Sequence, residues 1–364
     1  MVAPYESYTG MKKQLIITFF SIILFSGSVC ASDDPSISNE NGKLTENEKR
    51  SDAKFVVIPL GTKGGLVESN LSSYLVSPLG DTNFIAFDAG TVMTGLKQAK
   101  RKGSLQGIVI PKDSPLSLEG TVMVHHIKAY AISHAHIDHV AGMVISAPYD
   151  SPKAILGLRT TIDNIRDHLF NWKIWPNFGD DGQTPLLKKY HYVGLTPGQG
   201  YSVVNTAMNV TAFELSHSGK YISTAFLVES GGQYLLYFGD AGADSIEESD
   251  KMKQIWAAVA PLVRNKVLRG IFLEISFPNE HPDTLLFGHL TPKLMMQELH
   301  TLARLVNPNQ PEIALQNLKV LVTHIKPSIN RNEKPEQTIM SELNGLNNLG
   351  VKFILPETGE RILF

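Results

Sequence analysis

Directly after an apolar run, IKAYAIS at 127–133, the chain reads His134-Ala135-His136-Ile137-Asp138-His139. Four side chains able to ligate divalent cations crowd into six residues at the expected end of a strand. Imidazoles and a carboxylate packed so closely are costly to bury without partners, and a metal ion supplies them. A tight turn can aim His134 and His136 at one ion while Asp138 and His139 face a second. A solvated histidine-rich loop is the weaker reading of this spacing.

Matching donors follow later apolar runs. His217 comes after NVTAFELS, Asp240 ends YLLYFGD, and His324 ends LKVLVTH. In open α/β sheets functional groups gather beyond the carboxyl ends of strands, so three such runs can deliver donors to one edge. The expected sets are His134, His136 and His217 around one ion, and Asp138, His139 and His324 around another, with Asp240 bridging both. Nitrogen and carboxylate oxygen without sulfur suit two zinc ions and would also accept manganese or iron. The only cysteine, Cys30, excludes a cysteine-based zinc site and any disulfide within the chain.

Order is expected from Phe55, where FVVIPLG reads as a buried strand. Apolar strand-like runs then alternate with helix-like stretches near 140–147, 159–171, 249–264 and 292–305, the last with Pro292 at a first-turn position after Thr291. That alternation predicts an α/β fold. Residues 55–364 read as one domain, with 148–200, rich in Pro, Gly and Trp, as an inserted surface lobe. At 43% hydrophobic and 19% charged, the 364 residues exclude a mainly disordered or coiled-coil chain. A formal net charge of −2 leaves no general basic footprint for a nucleic-acid polymer.

The N-terminal region reads as an export signal. From a start at Met11, Lys12-Lys13 precede an apolar run at 15–29 and a small-residue cleavage pattern ending at Ala31. The run is too short and too interrupted by Thr18, Ser21, Ser26 and Ser28 for a comfortable membrane span. Residues 1–31 are therefore expected to be removed, leaving a polar leader at 32–54, a periplasmic location and no membrane attachment.

Taken together these residues resemble the class II 3′,5′-cyclic-nucleotide phosphodiesterases of the metallo-β-lactamase fold superfamily. The matching stretches are LGTKGGLVESNLSSYLV (60–76), SHAHIDHVAGMVISAP (133–148), IWPN (174–177), SHSGKYISTAFLVE (216–229), FGDAGAD (238–244), LEISFPNE and LFGHLTP (within 273–292) and VTHIKPS (322–328). Ile137 stands where this family commonly has Leu. The resemblance implies a four-layer αββα sandwich, with Asp88 supporting the metal loop; Glu274 is expected to orient a ligating histidine. It also implies opening of a cyclic nucleotide to the nucleoside 5′-monophosphate by a hydroxide bridging the metals.

Asp138, Asp240 and His289 are the expected catalytic residues, His289 as proton donor or phosphate-oxygen stabiliser. Gly65, Asn70, Ser72, Trp175, Asn177 and His289 are the expected substrate contacts. The partner is a small cyclic nucleotide, and a homodimer is left open. Rival readings keep the scaffold but change the substrate to another ester, lactone or lactam, or make it a non-catalytic binding protein.

Overall fold

A computed structural model describes residues 52–364 except Lys220. The expected signal and nearly all of the leader lie outside the described residues. No helix among the described residues is long and apolar enough to cross a membrane.

The chain first lays down six strands: β1 (Phe55–Gly61), β2 (Ser73–Pro78), β3 (Phe84–Phe87), β4 (Ile127–Ala131), β5 (Lys153–Leu158) and β6 (Tyr190–Leu195). It then builds a second sheet from β7 (Gly200–Ser202), β8 (Asn209–His217), β9 (Tyr221–Ser230), β10 (Gln233–Phe238), β11 (Leu268–Glu274), β12 (Lys319–Thr323) and β13 (Lys352–Ile354). Finally β14 (Ile362–Leu363) returns to pair with β1 at the edge of the first sheet. Each sheet has seven strands, in the orders β14-β1-β2-β3-β4-β5-β6 and β13-β12-β11-β10-β9-β8-β7.

Strand side chains alternate between two apolar environments, which makes the layers. In β1, Phe55 and Val57 join an apolar layer shared with Phe226, Tyr237 and Phe272 of the second sheet. Val56, Ile58 and Leu60 face the other way, into a cluster with Leu96 and Val140 from helices. In β12, Leu321 belongs to the layer between the sheets, while Val320 and Val322 pack with Trp256, Leu299 and Leu343 of helices on the far side. The result is helix, sheet, sheet, helix, as the resemblance implied. The helix Pro292–Val306 begins where its sequence predicts: Thr291 caps it, its hydroxyl accepting from Leu294 N at 3.4 Å.

The segment near 148–200 departs from the expected lobe. It supplies β5 and β6 of the first sheet and reaches β7 of the second. Its one long stretch outside strands and helices is 170–189. The misreading has a local cause: the strand runs KAILGL and YHYVGL are short and flanked by turn formers that dominate the composition.

Strand direction places the site. β3 and β4 are parallel, as are β10, β11 and β12. β8 and β10 both run antiparallel to β9, so they share a direction. Within each sheet, these strands' carboxyl ends therefore open toward one edge, and every residue of the histidine cluster lies at or just beyond such an end.

Candidate metal centre and active site

The HxHxDH segment divides at a helix boundary. His136 is the N-cap of the helix Ile137–Ser146, so His134 and His136 precede it while Asp138 and His139 occupy its first turn. The positive end of the helix dipole favours the Asp138 carboxylate there. His217 is the last residue of β8, Asp240 follows β10 by two residues, and His324 follows β12 directly. His324 and Asp88 both hold left-handed backbones, φ 60° and 53°. Such conformations are uncommon outside glycine and persist where the surroundings impose them.

These elements bring all seven expected donors together. Nε2 of His134 lies 2.9 Å from Nδ1 of His136, and both form a potential cation set with His217. Nε2 of His324 lies 3.2 Å from Nε2 of His139 and 3.2 Å from Oδ2 of Asp138, a second potential set. Oδ2 of Asp240 stands between them, 3.8 Å from Nε2 of His134 and 4.0 Å from that of His217, and 3.3 Å and 3.2 Å from those of His139 and His324.

The hydrogen bonds behind the rings decide whether cations fit. Nδ1–H of His139 donates to Oδ2 of Asp88 at 2.7 Å, and Nδ1–H of His217 donates to the carbonyl of Gly288 at 2.8 Å. Nδ1 of His134 meets Oγ of Ser133 at 3.0 Å, and Nδ1 of His324 meets Oγ of Ser276 at 3.0 Å. Each serine hydroxyl has an acceptor of its own, Oδ2 of Asp88 at 2.8 Å and the carbonyl of His324 at 3.4 Å, so each can receive the ring proton. With protons held on Nδ1, four Nε2 lone pairs point into one buried space beside two carboxylates. Lone pairs facing each other across about 3 Å repel unless a cation lies among them, and backing of this kind orients metal-binding histidines. The residues fit divalent metal, and the nitrogen–oxygen donor set fits zinc.

Asp88 anchors this backing. It accepts from Ser133 N at 2.7 Å, Tyr237 OH at 2.6 Å, the Ser133 hydroxyl and His139. Gly64 has a related role: a Cβ there would stand 2.3 Å from Cε1 of His324, so only glycine lets the β1–β2 loop lie against that ring.

Burial sets the electrostatics. It pushes the His134 imidazole well below its usual range, and His136 and His217 down to about 4. Burial would likewise depress His139, but Asp240, Asp88 and Asp138 around it overcome this and raise it well above the usual value. Burial also works against the charged forms of Asp138 and Asp240, yet the neighbouring His139 and His324 hold both carboxyls below the ordinary range.

The metal-free protein is accordingly expected to lose stability in acid. Between pH 6.5 and about 4 the unfolded chain binds protons at His134, His136, His217 and His289 that the folded chain does not, so stability falls as pH drops through that window. Glu274, raised to about 8, opposes this slope, as do the raised His139 and Glu298, but the four depressed histidines outnumber them. Thermal melts of chelated protein at pH 7 and pH 5 check the sign. An unchanged or higher melting temperature at pH 5 would contradict it.

His289 also reaches the cluster. Its ring centroid lies 5.0 Å from that of His217 and 5.2 Å from that of His324. Nδ1 of His289 is 2.8 Å from Oε1 of Glu274 and 3.9 Å from Oδ2 of Asp240. Glu274 therefore backs His289 rather than one of the expected ligating histidines. Burial, reinforced by Asp240, raises Glu274 to about 8, while burial lowers His289 to about 4.

The other expected substrate contacts fare differently. Gly65 is half-buried with φ 69° and open space where a Cβ would be. Oδ1 of Asn70 accepts from Thr62 N at 2.9 Å and the Thr358 hydroxyl at 2.6 Å, tying the β1–β2 loop to the C-terminal segment. Ser72 is buried, bonded to Gly90 N through its carbonyl and to Tyr237 through its side chain. Trp175 packs on the helix side of the first sheet. Asn177 spends its amide inside its own loop, on Gly179 N and the carbonyls of Asp181 and Gln183. Both ends of the Asn177 amide are thus held by its own loop, while Asn70 is held through Oδ1 and Ser72 through its hydroxyl. Sequence reading missed Ser133, Ser276, Tyr237 and Tyr221, the last stacked on His136 at 4.7 Å. The pairing of Ser133 and Ser276 with histidines one and 48 residues away becomes visible only after folding.

Paired sheets, flanking helices and a histidine–aspartate edge define a metallo-β-lactamase fold. The metallo-β-lactamase fold protein YhfI from Bacillus subtilis shares the fold, with TM-score 0.55 and 15% identity over 86% of this chain and 100% of that one. Unliganded yeast PDE1 is nearer in shape, with TM-score 0.71 and 25% identity over 86% of this chain and 99% of that one.

A family model described as cAMP phosphodiesterases class-II matches residues 51–359, and the chain belongs to that family. A 3′,5′-cyclic-nucleotide phosphodiesterase of Aliivibrio fischeri is 42% identical over 310 residues, covering 85% of this chain and 93% of the relative. The cAMP/cGMP-dependent 3′,5′-cAMP/cGMP phosphodiesterase A of Dictyostelium discoideum is 31% identical, covering 85% and 81%.

Proposed function

We propose that this chain hydrolyses 3′,5′-cyclic nucleotides to nucleoside 5′-monophosphates with two divalent ions, zinc being best suited to the donors. The observation that carries this reading is the facing array of Nε2 atoms, backed through Nδ1 and centred on Asp240, in a member of this phosphodiesterase family. His134, His136 and His217 would hold one ion, Asp138, His139 and His324 the other, with Asp240 shared. When bound, such a pair of cations neutralises phosphodiester charge and makes water a competent nucleophile near neutral pH.

The reaction adds water across the bond between phosphorus and the 3′ oxygen: hydroxyl goes to phosphorus, and the 3′ oxygen leaves with a proton. His289, held through Nδ1 by Glu274, is the group assigned to that proton. Asp88, Ser133 and Ser276 keep the surrounding rings oriented.

Incubation with 3′,5′-cyclic AMP should give 5′-AMP, and thorough chelation should abolish the reaction until zinc is restored. Recovery of 3′-AMP, or activity surviving chelation, would refute the scheme. Turnover of a cephalosporin but not of cyclic AMP would favour the rival substrate class.

The signal-like segment from Met11 to Ala31 supports export, with a mature chain starting at Ser32. The intact mass of protein recovered from the periplasm checks this. A full-length product retained inside the cell would overturn it.

A further inference from the structure

A cyclic nucleotide joins two chemically opposed parts, an anionic phosphodiester and a flat base with apolar faces. The histidine–aspartate cluster answers only the first. The ribose and cyclic phosphate form a rigid fused ring system, so a base whose phosphate is anchored must lie over the loops around the cluster.

Those loops carry large apolar side chains left in water. Phe287 is 65% exposed, Leu66 57% and Ile329 90%. Phe287 immediately precedes Gly288, whose carbonyl receives Nδ1–H of His217, and lies two residues before His289. Leu66 follows Gly64, the residue lying against the His324 ring, and Ile329 lies five residues after His324. The His289 and His324 rings stack at 5.2 Å, so the loops bearing these three side chains meet at that pair.

Phe287 is the aromatic member. Among the described residues the exposed large aromatic side chains are Tyr149, Trp172 and Phe287, and only Phe287 sits on a loop that delivers a site residue. Its backbone is left-handed, φ 51°, which a bulky residue seldom adopts. The next residue is locked against the site: a Cβ on Gly288 would stand 2.0 Å from Ser218 N. Strain held beside a catalytic cluster, with an apolar ring kept in solvent, points to a ligand rather than to packing.

We propose that Phe287 stacks on the nucleobase of the bound cyclic nucleotide and sets affinity, not chemistry. This rests on the phosphodiesterase reading above. Stacking on an aromatic side chain is worth about 5- to 150-fold in binding and tolerates any base.

The test compares cyclic AMP with methyl riboside 3′,5′-cyclic phosphate, which lacks a base, in the zinc-loaded full chain. Phe287→Ala should raise KM for cyclic AMP about tenfold or more, leave kcat within about twofold, and leave both constants for the methyl riboside unchanged. Phe287→Trp should keep the native KM, whereas Phe287→Leu, apolar but without a ring, should behave like the alanine variant. An unchanged KM for cyclic AMP, equal weakening of both substrates, or a leucine variant matching tryptophan would overturn stacking while leaving the phosphodiesterase reading intact. If the native chain hydrolyses neither substrate, both readings fail together. Should Phe287→Ala lose zinc, the tryptophan–leucine comparison decides.

Discussion

Asp240→Ala is expected to lose both ions and nearly all activity in one step. One carboxylate oxygen lies between 3.2 and 4.0 Å from Nε2 of His134, His139, His217 and His324, so its removal takes charge from both donor sets at once. The histidines left behind would face each other as neutral donors with only Asp138 to offset the charge of two cations. Replacing residues that merely back a ligand typically costs about 10–100-fold in metal affinity or activity, and loss of a shared donor should exceed that. Elemental analysis should fall from two zinc ions per chain toward none, with kcat/KM for cyclic AMP down by more than about 100-fold. Asp240→Asn, which keeps the shape but removes the charge, should behave similarly. A variant that retained two ions would show that Asp240 is not a shared ligand.

His289→Ala is the contrasting case. The metal content should stay at two while kcat falls by about 10²–10⁴-fold, the range for losing a positioned proton donor or acceptor. His289 lies within reach of the cluster, yet its Nδ1 is committed to Glu274 at 2.8 Å and stands 3.9 Å from Asp240. The alanine variant leaves a buried Glu274 whose Oε2 already lacks a partner, so His289→Gln, which can still meet Oε1, guards against a folding defect. Full turnover in either variant would remove His289 from the reaction. Loss of one ion would make it a ligand instead, a role its closeness to His217 and Asp240 permits.

The two predictions separate because the residues differ in what backs them. Asp240 has histidines on every side and little else to bond, so its charge is available to cations held among them. His289 has an acidic partner behind it, as proton-transfer groups do. Asp240 stands out in the sequence because it ends a strand-like run, and His289 because it lies in the LFGHLTP stretch of the resemblance. What backs His289 is not visible there, since Glu274 and His289 lie 15 residues apart and meet only through a loop.

The limits of sequence reading follow the same line. The buried-strand run FVVIPLG, the Thr291–Pro292 helix start and the donor types in HxHxDH are properties of neighbouring residues, and each recurs in the structure as expected. The lobe near 148–200 was misjudged because strand membership depends on a pairing partner: β5 and β6 become sheet only by lying beside β4 and each other. Nothing nearby in the chain announces Thr358, which donates to Oδ1 of Asn70, or the carbonyls that hold the Asn177 amide.

Legible from residue order alone, therefore, were the chemistry of the donors and their placement at strand ends, since both depend on short-range pattern. Which proton each imidazole keeps, which carboxylate lies between the two sets and which polar groups remain free were settled by contacts between segments as many as 288 residues apart. Those contacts arise from the packing of two sheets, and a one-dimensional pattern carries no record of the distances that packing creates.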